Sequence, residues 1–518
     1  MTAPSAGSVK PKRSRGGATL VAAGILLSRM AGLVRDHYFN RYFGLSAPAD
    51  AFRQAFKIPN LLQNLFGEGS LSASFIPVYA NLIARGKKEE AGRVAGAVFA
   101  ILALVVSAIV AVGVTATPLF IDLIAFGFKG EKRTLTITLV RILFPGAGLL
   151  VMSAWCLGIL NSHRKFFLSY CAPVVWNLVM IGTLLAFGRH TGLERLAVIV
   201  AWASVIGSGV QFLVQVPFVL KLIEDLKVEF ATRLESVREV VRNFLPAFLS
   251  RGVVQLSAFI DSSIASLLPD GSVAALSNAQ NLYLLPVSLF GMSVSASELP
   301  EMSSAVGSDS EIAAALVKRL TSGLRRITLL VIPSAVAFVA LGDMIAGAIY
   351  QGGLFTREDT HYVWIILAGS GVGLLASTQG RLYSSAFYAL KDTRTPLRFA
   401  IIRITLTTIL GYICAKPLPY WLGIDPKWGA AGLTASAGVA GWIEFLLLRR
   451  ALSKRIGTAH VGVPWMARLW ASAIAAAALA WAIKLHWHIQ QPQIAAAITL
   501  LPFGALYILL AGPRQFRR

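Results

Sequence analysis

Runs of about twenty mostly apolar residues follow one another along nearly the whole chain, separated by short polar loops, and nothing else in the sequence limits the fold so tightly. Such a run is long enough to cross a bilayer as a helix. Hydrocarbon offers the backbone no hydrogen-bond partner, so each run must satisfy its own N–H and C=O groups. The strict apolar–polar alternation of a membrane barrel is absent. The pattern places helices at 18–43, 51–84, 92–127, 135–160, 167–188, 196–221, 243–268, 272–305, 320–349, 361–388, 397–418, 428–451, 465–485 and 493–512. This predicts an all-α polytopic membrane protein with about fourteen spans. Composition agrees: the 518 residues are 56% hydrophobic and 14% charged, where a soluble domain carries about a quarter charged residues.

The net charge of +23 has two physical readings. A nucleic-acid partner is one; a membrane protein whose cytoplasmic loops collect Lys and Arg is the other, and the apolar runs select it. The N-terminal tail, the loops near 85–93, 163–165, 221–242, 309–326, 391–398 and 449–468, and the C-terminal tail hold roughly thirty Lys and Arg, against roughly ten in the opposite loops. Both termini are therefore expected in the cytoplasm, which requires an even number of spans. The segment 227–242 reads as an amphipathic helix on the inner face. Cys156, Cys171 and Cys414 fit no disulfide framework or CxxC metal site and read as small packing residues.

The two halves of the chain resemble each other. Leu27-Ser28-Arg29 recurs as Leu249-Ser250-Arg251, Leu65-Phe66-Gly67 as Leu289-Phe290-Gly291, and the Ser72–Pro77 stretch as Ser295–Pro300. The offset is nearly constant and the order is kept. This predicts a basic tail (1–17), a first six-helix lobe (18–226), a linker (227–242), a second six-helix lobe in parallel repeat (243–451), and two appended helices with a tail (452–518). Parallel repeats place a substrate cavity between lobes that rock against each other.

The segment Ser28–Ala84 carries a long pattern: SR, then RD, DAF, FKIPNLL, a GEG turn and SFIPV. With YALKDTRTPLRFAI in the second half and the layout of fourteen spans, the chain resembles the MurJ/MviN family of lipid-linked peptidoglycan precursor flippases over nearly its whole length. The resemblance implies the multidrug/oligosaccharidyl-lipid/polysaccharide exporter fold. It also implies movement of undecaprenyl-diphosphate-linked lipid II across the bacterial inner membrane, with lipid II and membrane lipids as partners and cell-wall synthesis proteins as candidate ones. Two positions depart from the pattern. Gln63 follows IPNLL where many members carry a basic residue, and Asn281 and Leu284 stand where many members have Arg and Glu.

Charge inside a bilayer costs from about 2.5 kcal/mol upward, so retained charges usually face a cavity or a partner. Arg29 and Arg35 lie within the first span, and guanidinium binds phosphate oxygens in bidentate fashion while staying charged. Both are candidate diphosphate ligands, and the resemblance adds Asp50. Arg251, the repeat partner of Arg29, is the second-lobe candidate, with pairing to Glu298 as the rival role. Asp36, Glu68 and Glu298 are candidate gate residues, Glu68 because its flanking glycines permit a bend. Asp261 is a candidate ion site. No Walker A, HExxH or Ser/His/Asp arrangement is visible, so neither enzymatic chemistry nor a cofactor is expected. Competing readings are an exporter of another polyprenyl-diphosphate glycan, a cation-coupled drug exporter of the same fold, and a membrane-embedded glycosyltransferase or structural assembly partner. A transferase would need catalytic residues in a large loop.

Overall fold

The computed structural model describes residues 15–66, 70–304, 307–487, 490–512 and 515, with backbone alone at 15–22, 247 and 249–258. The first lobe comprises α1 (Arg15–Phe43), α2 (Ala47–Phe66), α3 (Ser70–Ala84), α4 (Lys88–Thr115), α5 (Thr117–Ile124), α6 (Gly130–Ser162), α7 (Phe166–Phe187) and α8 (Leu193–Leu222). The second comprises α9 (Glu235–Ala265), α10 (Ser272–Pro286), α11 (Ser293–Ser303), α12 (Asp309–Tyr350), α13 (Arg357–Ala389), α14 (Arg394–Ala415), α15 (Pro417–Leu422) and α16 (Gly429–Ile456). Two more, α17 (Val463–His486) and α18 (Pro492–Ala511), complete the described helices.

Among the described residues, eleven helical segments are long and apolar enough to cross a membrane. The other three expected spans fall on α1, on α2 with α3, and on α9, each of which carries charge within its length. Local chemistry sets the helix ends. Proline occupies the first turn of α5, α17 and α18, where a missing N–H costs nothing. Capping boxes open α12 (Ser308 with Glu311) and α13 (Thr356 with Asp359).

Two boundaries differ from the sequence expectation. The span expected at 92–127 breaks at Ala116 into α4 and α5, whereas the one at 51–84 is described as α2 and α3 on either side of 67–69, which lie outside the described residues. The expected amphipathic helix at 227–242 is helical only from Glu235. Residues 227–234 instead lie as irregular chain against α4. Arg93 binds Glu229 at 3.0 Å, and the Lys227 carbonyl lies so close to Gly96 that a Cβ there would clash. Docking on a neighbouring helix replaces the helix that a free interfacial segment would form.

The repeat is visible in the packing. In the first lobe α6 packs against α2, α4 and α8, α1 against α7, and α7 against α8. In the second lobe α13 packs against α10, α12 and α16, α9 against α14, and α14 against α16, the equivalent pairs. In the second lobe the second span is irregular: α10 passes after Pro286 into a π-helical stretch, Val287–Met292, before α11. The appended α17 and α18 pack on each other and on α12.

Candidate functional site

The lobes meet where α1 and α2 face α10 and α12, and the contact is polar. Asp36 on α1, 4% exposed, is its centre. Its Oδ1 accepts from Arg35 Nη2 at 2.9 Å and from Arg53 Nη1 of α2 at 3.2 Å, and its Oδ2 from Asn281 Nδ2 of α10 at 3.1 Å. Arg35 continues to Asn177 Oδ1 on α7 at 3.2 Å and lies over the Trp176 ring at 5.0 Å. Arg53 lies over Phe39 and donates Nη2 to Asn278 Oδ1 at 3.2 Å. One turn along, the amides of Asn40 and Asn278 bind each other across the lobe boundary at 2.7 and 3.2 Å, both fully buried. Two guanidiniums share one carboxylate, so the group carries a net positive charge and keeps donors to spare.

Beyond this layer, towards the end of α1, the lobes are closed. Asp50 is fully buried and accepts from the backbone N–H of Gly271 (2.8 Å) and Ala274 (2.7 Å) at the N-terminus of α10. Lys132 binds it at 2.6 Å and reaches Asp270 at 2.8 Å. A carboxylate at a helix N-terminus satisfies orphan donors and meets the positive end of the dipole. Leu354 donates its N–H to the Arg41 carbonyl at 2.8 Å, and Gly44 turns with φ +57 against the Leu354 carbonyl, where a Cβ would clash. Ser262 of α9 donates to Gln54 of α2, and the Gly127 N–H to Ser266 at 3.1 Å.

Towards the start of α1 the picture changes. Leu26, Leu27, Arg29 and Met30 are exposed, as are Leu284, Leu289 and Met292 of the second lobe. Arg29 forms no hydrogen bond or ion pair with a described residue. A separate apolar cleft of about 990 Å³ lies on the other flank, lined by α2, α4, α5, α6, α9 and α14.

The structure thus gathers Arg35 and Asp36 into one site and leaves Arg29 open below it. Asp50, expected to bind substrate, is in this arrangement a lobe-to-lobe clamp, because both its oxygens are engaged by α10 and Lys132. Glu298 is buried and sits 3.6 Å from Arg326 of α12, within its own lobe. Asp261 lies near Lys57 and Arg403. No cluster of three metal-binding side chains occurs among the described residues. Glu68 lies outside the described residues, and Arg251 is described in backbone only, within α9. Sequence reading gave no role to Arg53, Lys57, Lys132 or Asn278. Asp50, Arg53 and Lys57 are spaced three and four apart, one face of a helix, and that spacing was the available signal for two of them.

Two helical lobes in parallel repeat, closed at one end by a buried charged layer and open towards the other, define a polytopic membrane transporter. Solved structures share this fold. One, "Lipid II flippase MurJ, inward closed conformation", superposes with a TM-score of 0.78 at 24% identity over 96% of this chain and all of that one. An inward-facing MATE family transporter of the MOP superfamily gives 0.64 at 19% over 84% and 98%. The family model "Lipid II flippase MurJ" matches residues 39–501. The lipid II flippase MurJ of Burkholderia cenocepacia is 31% identical over 95% of this chain and 97% of its own. The probable lipid II flippase MurJ of Rickettsia prowazekii is 31% identical over 83% of each. The chain belongs to the MurJ lipid II flippase family.

Proposed function

We propose that this protein moves lipid II from the cytoplasmic to the periplasmic leaflet of the bacterial inner membrane by alternating access, without covalent change to its substrate. Family membership supports the substrate. The observation that carries the mechanism is the Arg35–Asp36–Arg53–Asn281 layer between the lobes, with Arg29, unpaired among the described residues, towards the start of α1. A diphosphate entering from that side meets Arg29 first. It then competes with Asp36 for Arg35 and Arg53, and so loosens the contact that holds the lobes together. A ligand shifts a conformational equilibrium only through such differential contacts.

The distribution of Lys and Arg supports cytoplasmic termini, and on that reading this arrangement is open to the inside. Lipid II and the surrounding membrane lipids are its partners, with no nucleic acid involved; proteins of cell-wall synthesis are the protein partners this role suggests. In a strain depleted of its own lipid II flippase, the wild-type chain should restore growth. Arg29→Ala and Arg35→Ala should each fail to do so while still reaching the membrane. Normal growth with either variant removes that residue from the site, and failure of the wild type removes the function.

A further inference from the structure

With Asn281 on α10, where the resemblance puts an Arg in many members, the described gate holds no cation from the second lobe. Its cations lie deeper in that lobe. Helix α13 is its central helix, and from Gly373 to Phe387 every residue is buried except Ser377, Arg381 and Ser384. These three fall on one strip, spaced four and three apart. Ser377 meets the Tyr283 hydroxyl of α10 at 2.7 Å. Arg381, one turn further, is exposed, and its side chain forms no hydrogen bond or ion pair with a described residue. Its charge acts on Tyr283 and on Glu444 of α16, as does that of Arg403 on α14. Arg403 holds Glu444 with Nε 3.0 Å from Oε2 and is itself about a third exposed. Asp261, also near Arg403, faces Lys57 across the lobe boundary. Glu444 is thus bound by Arg403 and only near Arg381, which has no directly paired acid among the described residues. Arg381 sits eight residues before the end of α13, about 12 Å into the helix, where an unpaired charge is costly unless it faces a polar cavity.

We propose that Arg381 and Arg403, set around Glu444, form an anion subsite of the second lobe that takes phosphate or carboxylate oxygens of the translocated head group. The subsite rests on the lipid II reading above. It supplies the second-lobe contact that Asn281 cannot, and Glu444 keeps Arg403 occupied until an anion competes for it.

Binding of intact lipid II, of bare undecaprenyl diphosphate, and of lipid II with its peptide carboxylates amidated can be measured on the full chain in lipid nanodiscs by native mass spectrometry. Arg381→Ala should weaken lipid II binding at least tenfold, and Arg381→Lys should weaken it less. Glu444→Gln should bind as tightly as wild type or more tightly, because it releases Arg403. A loss that persists with the bare diphosphate assigns the subsite to phosphate; a loss confined to the intact peptide assigns it to carboxylate. Equal binding by wild type and Arg381→Ala overturns the subsite alone. A loss in Glu444→Gln as large as in Arg381→Ala also overturns it, since that marks a purely structural ion network. No lipid II binding by the wild type overturns the lipid II reading and the subsite with it.

Discussion

Asp50 and Asp36 are both buried carboxylates between the lobes, and their surroundings assign them different tasks. Asp50 has three partners: two backbone N–H groups of α10 and Lys132. Removing one partner of a buried ion pair costs about 3–5 kcal/mol, because the other charge is left uncompensated. Asp50→Ala should therefore lower the thermal stability of the purified protein markedly. Lys132→Ala should lower it less, since two N–H donors still hold the carboxylate. Equal losses in thermal unfolding would show that Lys132, and not the end of α10, is the main partner. Asp36 instead joins two guanidiniums and an amide, all side chains able to turn to a ligand, which suits a contact that must open.

At the scale of elements, the YALKDTRTPLRFAI motif proves to be a helix start. Asp392 accepts from the backbone N–H groups of Arg394 and Thr395 and from the Thr395 hydroxyl, and it pairs with Arg455 of α16 at 2.8 Å. It thus caps α14 and ties the α13–α14 corner to the end of α16. The hydrogen bonds from Thr395, then the Arg455 charge, hold its carboxyl below the usual value of 3.8. A depressed folded value means that this contribution is present above pH 3.8 and is lost as the pH falls through the lower folded value. Asp392→Ala should cost about 1 kcal/mol near neutral pH, as loss of an N-cap does. That difference from wild type should shrink below pH 3.8 in thermal unfolding scans; a difference independent of pH would rule out the charged cap.

For the whole molecule, the gate separates accessible from inaccessible surface within one helix. Asn278 and Leu284 both lie on α10; Asn278 is fully buried on the closed side and Leu284 is 48% exposed on the open side. A cysteine at 284 should react with a membrane-impermeant maleimide supplied from the cytoplasm, and one at 278 should react from neither side. Reaction of 284 from the periplasm alone would reverse the proposed orientation. Reaction of 278 in this arrangement would show that the Asn40–Asn278 layer does not close.

The class of protein was legible in the sequence because it depends on local quantities: the length of apolar runs, their number, and the charge of the loops between them. The Ser28–Ala84 pattern added the family, and the recurring short motifs anticipated the two lobes in parallel repeat. What acts on what was not legible. Asp36 meets Asn281 across 245 positions and Asp50 meets Ala274 across 224, and no spacing rule links residues so far apart. Which base faces which acid depends on the rotation of each helix about its axis and on how one lobe seats on the other. A one-residue change in helix phase turns a side chain by about 100°, out of a cavity and into a helix interface. For that reason Arg35 and Asp36 could be picked out by being charged in an apolar run. Asp50's clamp on α10, Arg53's place at the gate, and the convergence of Arg381, Arg403 and Glu444 from three helices were decided only by the tertiary structure.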